Sequence, residues 1–245
     1  MFPQLEIPDT LAAGPGPGNT DPRVLERFAA AGVADHMQAD VVRGMKEAKM
    51  MLREVFGTKN AYTFGVCGTG WDGLDCAFSP ILPGDSVVCF VNGTFSGIDD
   101  FNVRLKASTA AELAQDPMNP TPVSVVTVQV PHGESVTGDV IEAALAEHKP
   151  MWALMAHWET GSGRINDIQG FNDACERHGV MGIVDAVSSL GISYFNIDDY
   201  PAIATWASCP QKGILGLPLT YAPVSFSDKV IDLLRKRGCY SYVHH

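Results

Sequence analysis

The sequence predicts an α/β protein, a three-layer α/β/α sandwich around a mainly parallel, mixed sheet. Three observations lead to this expectation. From Ala61 onward, short β-branched apolar runs alternate with amphipathic stretches of helical period. Strand and helix alternating this regularly imply crossovers that place helices on both faces of a parallel sheet. The chain of 245 residues, 46% hydrophobic and 18% charged, is also long and apolar enough to bury one large core.

Taken in order, Gly14-Pro-Gly-Pro-Gly-Asn19 cannot be regular structure, because proline fixes φ and glycine leaves it unrestrained. Residues 1–20 are therefore expected to be an N-terminal arm and opening loop, and 21–245 one large domain. Asp21 is a good N-cap and Pro22 suits the first helical position, so a helix is expected at 23–31 and a longer amphipathic one at 39–56. A strand-like run ends at Cys67, and further strands are expected at 85–91, 122–130, 152–157, 180–187, 202–208 and 219–226. Helices are expected at 71–78, 95–106, 138–148, 168–178 and 227–237. Residues 109–121, with Asp116, Pro117, Asn119 and Pro120, are expected to form a surface excursion.

Composition excludes several function classes. A formal charge of -11 argues against nucleic acid, whose phosphates are held by basic patches. The one basic cluster, Leu234-Arg-Lys-Arg-Gly238, reads as cations complementing a helix C-terminus. No apolar run is long enough to cross a bilayer, and the N-terminus lacks the basic stretch of a secretory signal, so a cytoplasmic location is expected. The cysteines, Cys67, Cys76, Cys89, Cys175, Cys209 and Cys239, show no C-x-x-C spacing and suggest neither zinc nor a disulfide framework. His157 and Glu159 form an H-x-E without a third ligand at metal spacing and read as scaffold, and His244-His245 is assigned no role.

Three segments carry chemistry. Gly68-Thr-Gly-Trp-Asp-Gly73 is a formal G-x-G-x-x-G between a strand and a helix, where backbone amides can hold a phosphate. A dinucleotide fold would also want an acid ending the next strand, but Asp85 precedes one instead. In Ile183-Val-Asp185-Ala-Val-Ser-Ser-Leu-Gly191, a carboxylate ends a strand too apolar to be exposed, so it needs a partner or caps the next turn. In Ser208-Cys-Pro-Gln-Lys212-Gly, a lysine follows a strand, where α/β folds place ligands. Its apolar surroundings suit an amine that must lose its charge, although a solvated loop lysine looks the same locally.

The order of these segments, with Gly14–Asn19, Val91-Asn-Gly-Thr-Phe-Ser-Gly97 and His157-Trp-Glu-Thr-Gly-Ser-Gly163, resembles the class V aminotransferases. These are pyridoxal-phosphate (PLP) enzymes of the aspartate-aminotransferase fold type, and the likeness is greatest to the alanine–glyoxylate and serine–glyoxylate group. It runs in unbroken order from Leu11 to Arg237. The resemblance implies PLP as cofactor, with Lys212 forming the Schiff base and moving protons, and Asp185 paired with the pyridine N–H. It implies that Thr69, Gly70 and the Trp71 amide cradle the phosphate with Gln211 and Ser189, that Phe95 stacks on the ring, and that Thr160 lies near the phenolic oxygen.

The implied reaction moves an amino group from a small amino acid, alanine or serine in type, to a small 2-oxo acid such as glyoxylate or pyruvate, in a homodimer. Family members continue into a C-terminal domain whose arginine holds the substrate carboxylate, and this sequence stops at His245. A second chain supplying that domain and a truncated non-catalytic protein are therefore alternatives, and a PLP-dependent lyase or desulfurase is another because class V also contains such enzymes. Gly213-Ile-Leu-Gly-Leu-Pro218 and Trp71 depart from the family pattern beside the lysine and the phosphate loop.

Overall fold

The computed structural model describes residues 11–238, apart from 13, 31, 33, 114–121, 215 and 217–219. Helices α1 (Pro22–Ala29) and α2 (Ala39–Phe56) precede strand β1 (Tyr62–Cys67). There follow α3 (Gly70–Phe78), β2 (Ser86–Val91), α4 (Thr94–Leu113), β3 (Ser124–Gln129), α5 (Gly138–His148) and β4 (Trp152–Ala156). A short hairpin of β5 (Trp158–Glu159) and β6 (Arg164–Ile165) leads to α6 (Ile168–His178), β7 (Met181–Asp185), a 3-10 turn at Ile197–Asp199 and β8 (Ile203–Ala207). Strand β9 (Tyr221–Phe226) and helix α7 (Asp228–Lys236) complete the described fold.

The main sheet has seven strands in the order β1-β9-β8-β7-β4-β2-β3. Strand β9 runs antiparallel to both of its neighbours, and the pairs among β8, β7, β4, β2 and β3 are parallel. The unbroken apolar runs in the sequence reflect burial on both faces. Val88 and Phe90 join the core beneath α5 and α6 with Phe171 and Leu145, whereas Val87 and Cys89 join the opposite core with Phe78, Trp152 and Val230 beneath α3, α4 and α7. The sandwich is therefore three-layered. Full burial of Phe90, Phe171 or Trp206 is worth on the order of 2–3 kcal/mol each.

Local signals account for most boundaries. The Asp21 carboxylate accepts the Arg23 amide at 2.8 Å, with Pro22 opening α1. Gly57 and Gly179 end α2 and α6 with positive φ, a conformation glycine adopts without strain. Gly73 lets α3 lie directly on β9, because a Cβ there would meet the Ala222 Cβ at 2.6 Å.

Two expectations need correction. Residues 109–113 continue α4 rather than opening a surface excursion, because Ala110, Ala111, Glu112 and Leu113 are strong helix formers and no breaker precedes Pro117. Residues 114–121 lie outside the described residues. In the basic cluster, Arg237 does more than complement a helix end. Its guanidinium donates to both oxygens of buried Asp85 at 2.9 Å, and Asp85 also accepts the Trp152 indole N–H at 2.8 Å. The acid that enters β2 is thus a tie between the sheet and the end of α7.

Candidate active site

Strands β1, β2, β4, β7 and β8 end together on one edge of the sheet, and the connections that follow them line a cavity of about 270 Å³. Thr69, Gly70, Trp71, Phe95, Thr160, Asp185, Gln211 and Lys212 all line it. Ser189, the remaining residue singled out in the sequence, does not. Its hydroxyl is fully buried without a hydrogen-bond partner, and neighbouring Ser188 reaches the wall instead, hydrogen-bonded to the Thr160 hydroxyl.

One wall is the first turn of α3. Thr69 is its N-cap, and the Gly70 and Trp71 N–H groups sit where a helix has no internal acceptors. Asp72 turns back to accept the Thr69 amide at 2.5 Å and the Thr69 hydroxyl at 2.6 Å, hydrogen bonds that hold its carboxyl below the usual range. Thr69 is therefore occupied within the chain, and an incoming anion meets the next two amides, at the positive end of the helix.

The cavity wall also carries Asp185, at the end of β7. Its Oδ1 accepts the Val187 amide at 2.7 Å. Burial pushes its pKa up to about 6 against the lowering effect of the Val187 amide and of neighbouring Asp99, and the Glu159 charge adds to the rise. No cation is paired with it among the described residues. A buried carboxyl in this setting is ready for a cationic group on a ligand.

Lys212 follows β8 in a turn whose amides reach back to Cys209 and Val187. Its ammonium donates to the Gly16 carbonyl at 2.9 Å, and the Gly18 amide donates to the Gln211 carbonyl at 3.0 Å, so the opening loop lies across the lysine turn. Gly16 has a φ of +124°, and a Cβ there would collide with the Lys212 side chain.

Two buried acids behind the cavity matter more than the sequence indicated. Glu159 accepts the amides of Phe95, Ser96 and Gly161 at 3.2, 2.9 and 2.8 Å and the Ser96 hydroxyl at 2.7 Å. It fastens the start of α4 and so sets the position of Phe95, which makes it scaffold with a defined task. Burial raises its pKa, but these donors outweigh burial and hold it below the usual range. A depressed carboxylate contributes stability above its unfolded pKa that is lost as pH falls through the folded one. Glu159→Gln should therefore cost about 2 kcal/mol at pH 7 and flatten the acid limb of the stability curve in urea titrations. Unchanged stability at pH 7 would contradict this. Asp99, one turn into α4, is buried with neither oxygen in a hydrogen bond of good geometry, and sequence reading missed it because nothing marks it apart from Asp100.

His157 is buried with its Nδ1 unpartnered, packed edge-on against Phe195, and burial lowers its pKa to about 4. Among the described residues, no three His, Cys, Asp or Glu side chains are grouped to hold a metal ion, and no helix is long and apolar enough to cross a membrane. Of the cysteines, Cys76, Cys89, Cys175 and Cys209 are buried free thiols and Cys67 is exposed. Cys239 and His244-His245 lie outside the described residues.

No protein-family model matches the chain. Mouse alanine–glyoxylate aminotransferase is 33% identical over 229 residues, 92% of this chain and 50% of that protein. The (S)-ureidoglycine–glyoxylate transaminase of Bacillus subtilis is 27% identical over 224 residues. Crystal structures of the ureidoglycine–glyoxylate aminotransferase from B. subtilis and of an alanine–glyoxylate aminotransferase from Nostoc superpose with TM-scores of 0.83 and 0.82, at 26% and 28% identity. They cover 96% and 97% of this chain, which in turn covers 57% and 58% of theirs. The chain spans about half the length of the curated relatives it matches. A cysteine desulfurase from Thermococcus onnurineus, at 15% identity and a TM-score of 0.66, shares the fold alone.

Proposed function

The chain belongs to the class V aminotransferase family that includes the alanine–glyoxylate and ureidoglycine–glyoxylate enzymes, and from that premise we propose that it binds PLP and transfers amino groups to a small 2-oxo acid. The single observation behind this reading is the shared cavity. It brings together a helix N-terminus, an amine, and a buried carboxyl that has no paired cation among the described residues.

This chain's side chains fit PLP. The Gly70 and Trp71 amides would take the phosphate with the help of Gln211, and Asp185 would meet the protonated ring nitrogen. Phe95 would cover a ring face, and the Thr160 and Ser188 hydroxyls would lie near the phenolic oxygen. Ser189, turned away from the cavity, would support the wall rather than touch phosphate. When bound, PLP supplies an electron sink for negative charge developed at the substrate α-carbon. Lys212 Nζ would bond to the cofactor aldehyde at rest and, once displaced by the amino substrate, carry the α-proton. Asp185, as the anion, would keep the ring nitrogen protonated.

We read residues 21–245 as the cofactor-binding domain, with the group that holds the substrate carboxylate supplied from outside this stretch, either by a further domain or by a second chain. Alanine as donor and glyoxylate as acceptor are supported by the names of the relatives, and serine as donor and pyruvate as acceptor are carried over from the family resemblance. The exposed apolar side chains of α2, among them Met45, Met50 and Met51, support a homodimer, which should sediment at twice the 26.3 kDa chain.

The test is spectral. The purified chain loaded with PLP should show a visible band that L-alanine or L-serine bleaches and glyoxylate restores. Formation of an oxo acid without retention of the amine on the cofactor would indicate a lyase instead. Absence of any PLP-dependent band would overturn the cofactor assignment.

A further inference from the structure

Asp99 lies one turn into α4 and shares a helix face with Phe95 and Ser96, the face that Glu159 pins toward the cavity. It is 1% exposed, and neither of its oxygens has a hydrogen-bond partner of good geometry within the chain. An ionised carboxylate so placed would be an unpaired buried charge, costing several kcal/mol. Among the described residues, the ionisable groups around it are Asp185 on β7, Glu159 on β5 and the Cys89 thiol on β2, and no cation is among them. Glu159 is already satisfied by four donors, whereas Asp185 has one amide donor, on Oδ1.

We propose that Asp99 is a positioning residue, the protonated member of a carboxyl pair, donating its O–H to Asp185 and so holding Asp185 as the anion that faces the ligand. Burial, then the Asp185 and Glu159 charges, push Asp99 well above the usual carboxylate range, in keeping with this assignment. The pair retains one proton at neutral pH, kept on the deeper acid, and the acid on the cavity wall keeps its charge. The use of that charge rests on the reading above, in which Asp185 meets a protonated ring nitrogen. The pair itself stands on burial and on the missing partners.

The test compares wild type, Asp99→Asn and Asp99→Leu, both ligand-free and loaded with PLP. Asparagine still donates to Asp185, and leucine fills similar space without a donor. Ligand-free wild type at pH 8 should show the infrared C=O stretch of a protonated carboxylic acid, and both variants should lose it. With ¹³C-labelled aspartate carboxyls, the Asp185 titration midpoint should stay in place in Asp99→Asn. In Asp99→Leu its proton affinity should rise by about tenfold, as expected for loss of a hydrogen bond to a charged group. In the loaded protein, the pH profile of the visible band should follow the same pattern, with asparagine close to wild type.

No protonated-acid band in wild type, or an equal fall in Asp185 proton affinity in both variants, would show Asp99 to be a charge pressing on Asp185 and would overturn the proposal. If Asp99→Leu fails to fold, the infrared band and the asparagine variant still decide. If PLP does not bind, the cofactor reading fails by itself, and the ligand-free measurements still decide the pair.

Discussion

Lys212→Ala should leave a folded protein that binds PLP without covalent attachment: borohydride fixes the cofactor to wild type, peptide mapping finds it on Lys212, and the variant carries none. The amine is the one group on the cavity wall able to form that bond, and at rest it is held by a single hydrogen bond to the Gly16 carbonyl. Conversion of bound PLP to the amine form by alanine should slow by at least about 10²–10⁴-fold, the usual contribution of a positioned proton carrier. Stability should change little, because a single part-buried hydrogen bond is worth about 1 kcal/mol. Covalent labelling that persists in the variant at another lysine would remove Lys212 from its proposed role.

Asp185→Asn should move stability and function in opposite directions. The native carboxyl is raised from the ordinary 3.8 to about 6 by burial, so the folded state binds a proton more tightly than the unfolded chain. Stability therefore falls as pH climbs from about 4 to about 6 and stays reduced above that range. The neutral amide keeps the Val187 hydrogen bond and escapes this cost. The variant should be more stable than wild type at pH 8 by on the order of 2 kcal/mol, and equal to it near pH 4. Its transamination rate should fall by about 10²–10³-fold, as expected when a preorganised charge is removed from a reacting group. Urea titrations at both pH values and single-turnover kinetics check the two halves. Loss of stability at pH 8 would mean that the carboxylate is structural.

Much of the fold was legible because each signal was local. Asp21-Pro22 marked the start of α1, and the 3.6-residue period over 39–56, 138–148 and 168–178 matched helices with those bounds. The doubly buried strands could be told from helices by their shortness and β-branching. The β5–β6 hairpin escaped notice because two-residue strands have no period. The 68–73 loop, Asp185 and Lys212 were legible as Gly-rich and strand-end motifs, whereas Phe95, Thr160 and Gln211 were legible only through the family resemblance. The acids behind the cavity were harder to see. Glu159 acts through amides 63 and 64 residues away, and Asp99 differs from exposed helical acids only in what the third dimension sets against it. The choice of Ser188 over Ser189 for the wall rests on side-chain direction after a strand end, which a row of serines does not reveal.

Strand β1 has one neighbour, β9, with Tyr62 opposite Phe226 and Cys67 opposite Tyr221, and the turn offering its amides to an anion hangs from the end of β1. The lysine likewise rests on a carbonyl 196 positions earlier in the chain. The half of the site built on β1 thus waits on β9, the last strand in chain order among the described residues, and the other half waits on the return of the lysine turn to the opening loop. On a ribosome, a nascent chain halted before Tyr221 would have the central parallel strands in place but no partner for β1, and the helix that follows it would rest on β8, through the Thr205 hydroxyl and the Ala77 carbonyl, without β9 beneath it. Competence to capture a ligand would emerge late and abruptly with chain length, and the slow step in refolding should be this long-range closure rather than the pairing of the inner strands.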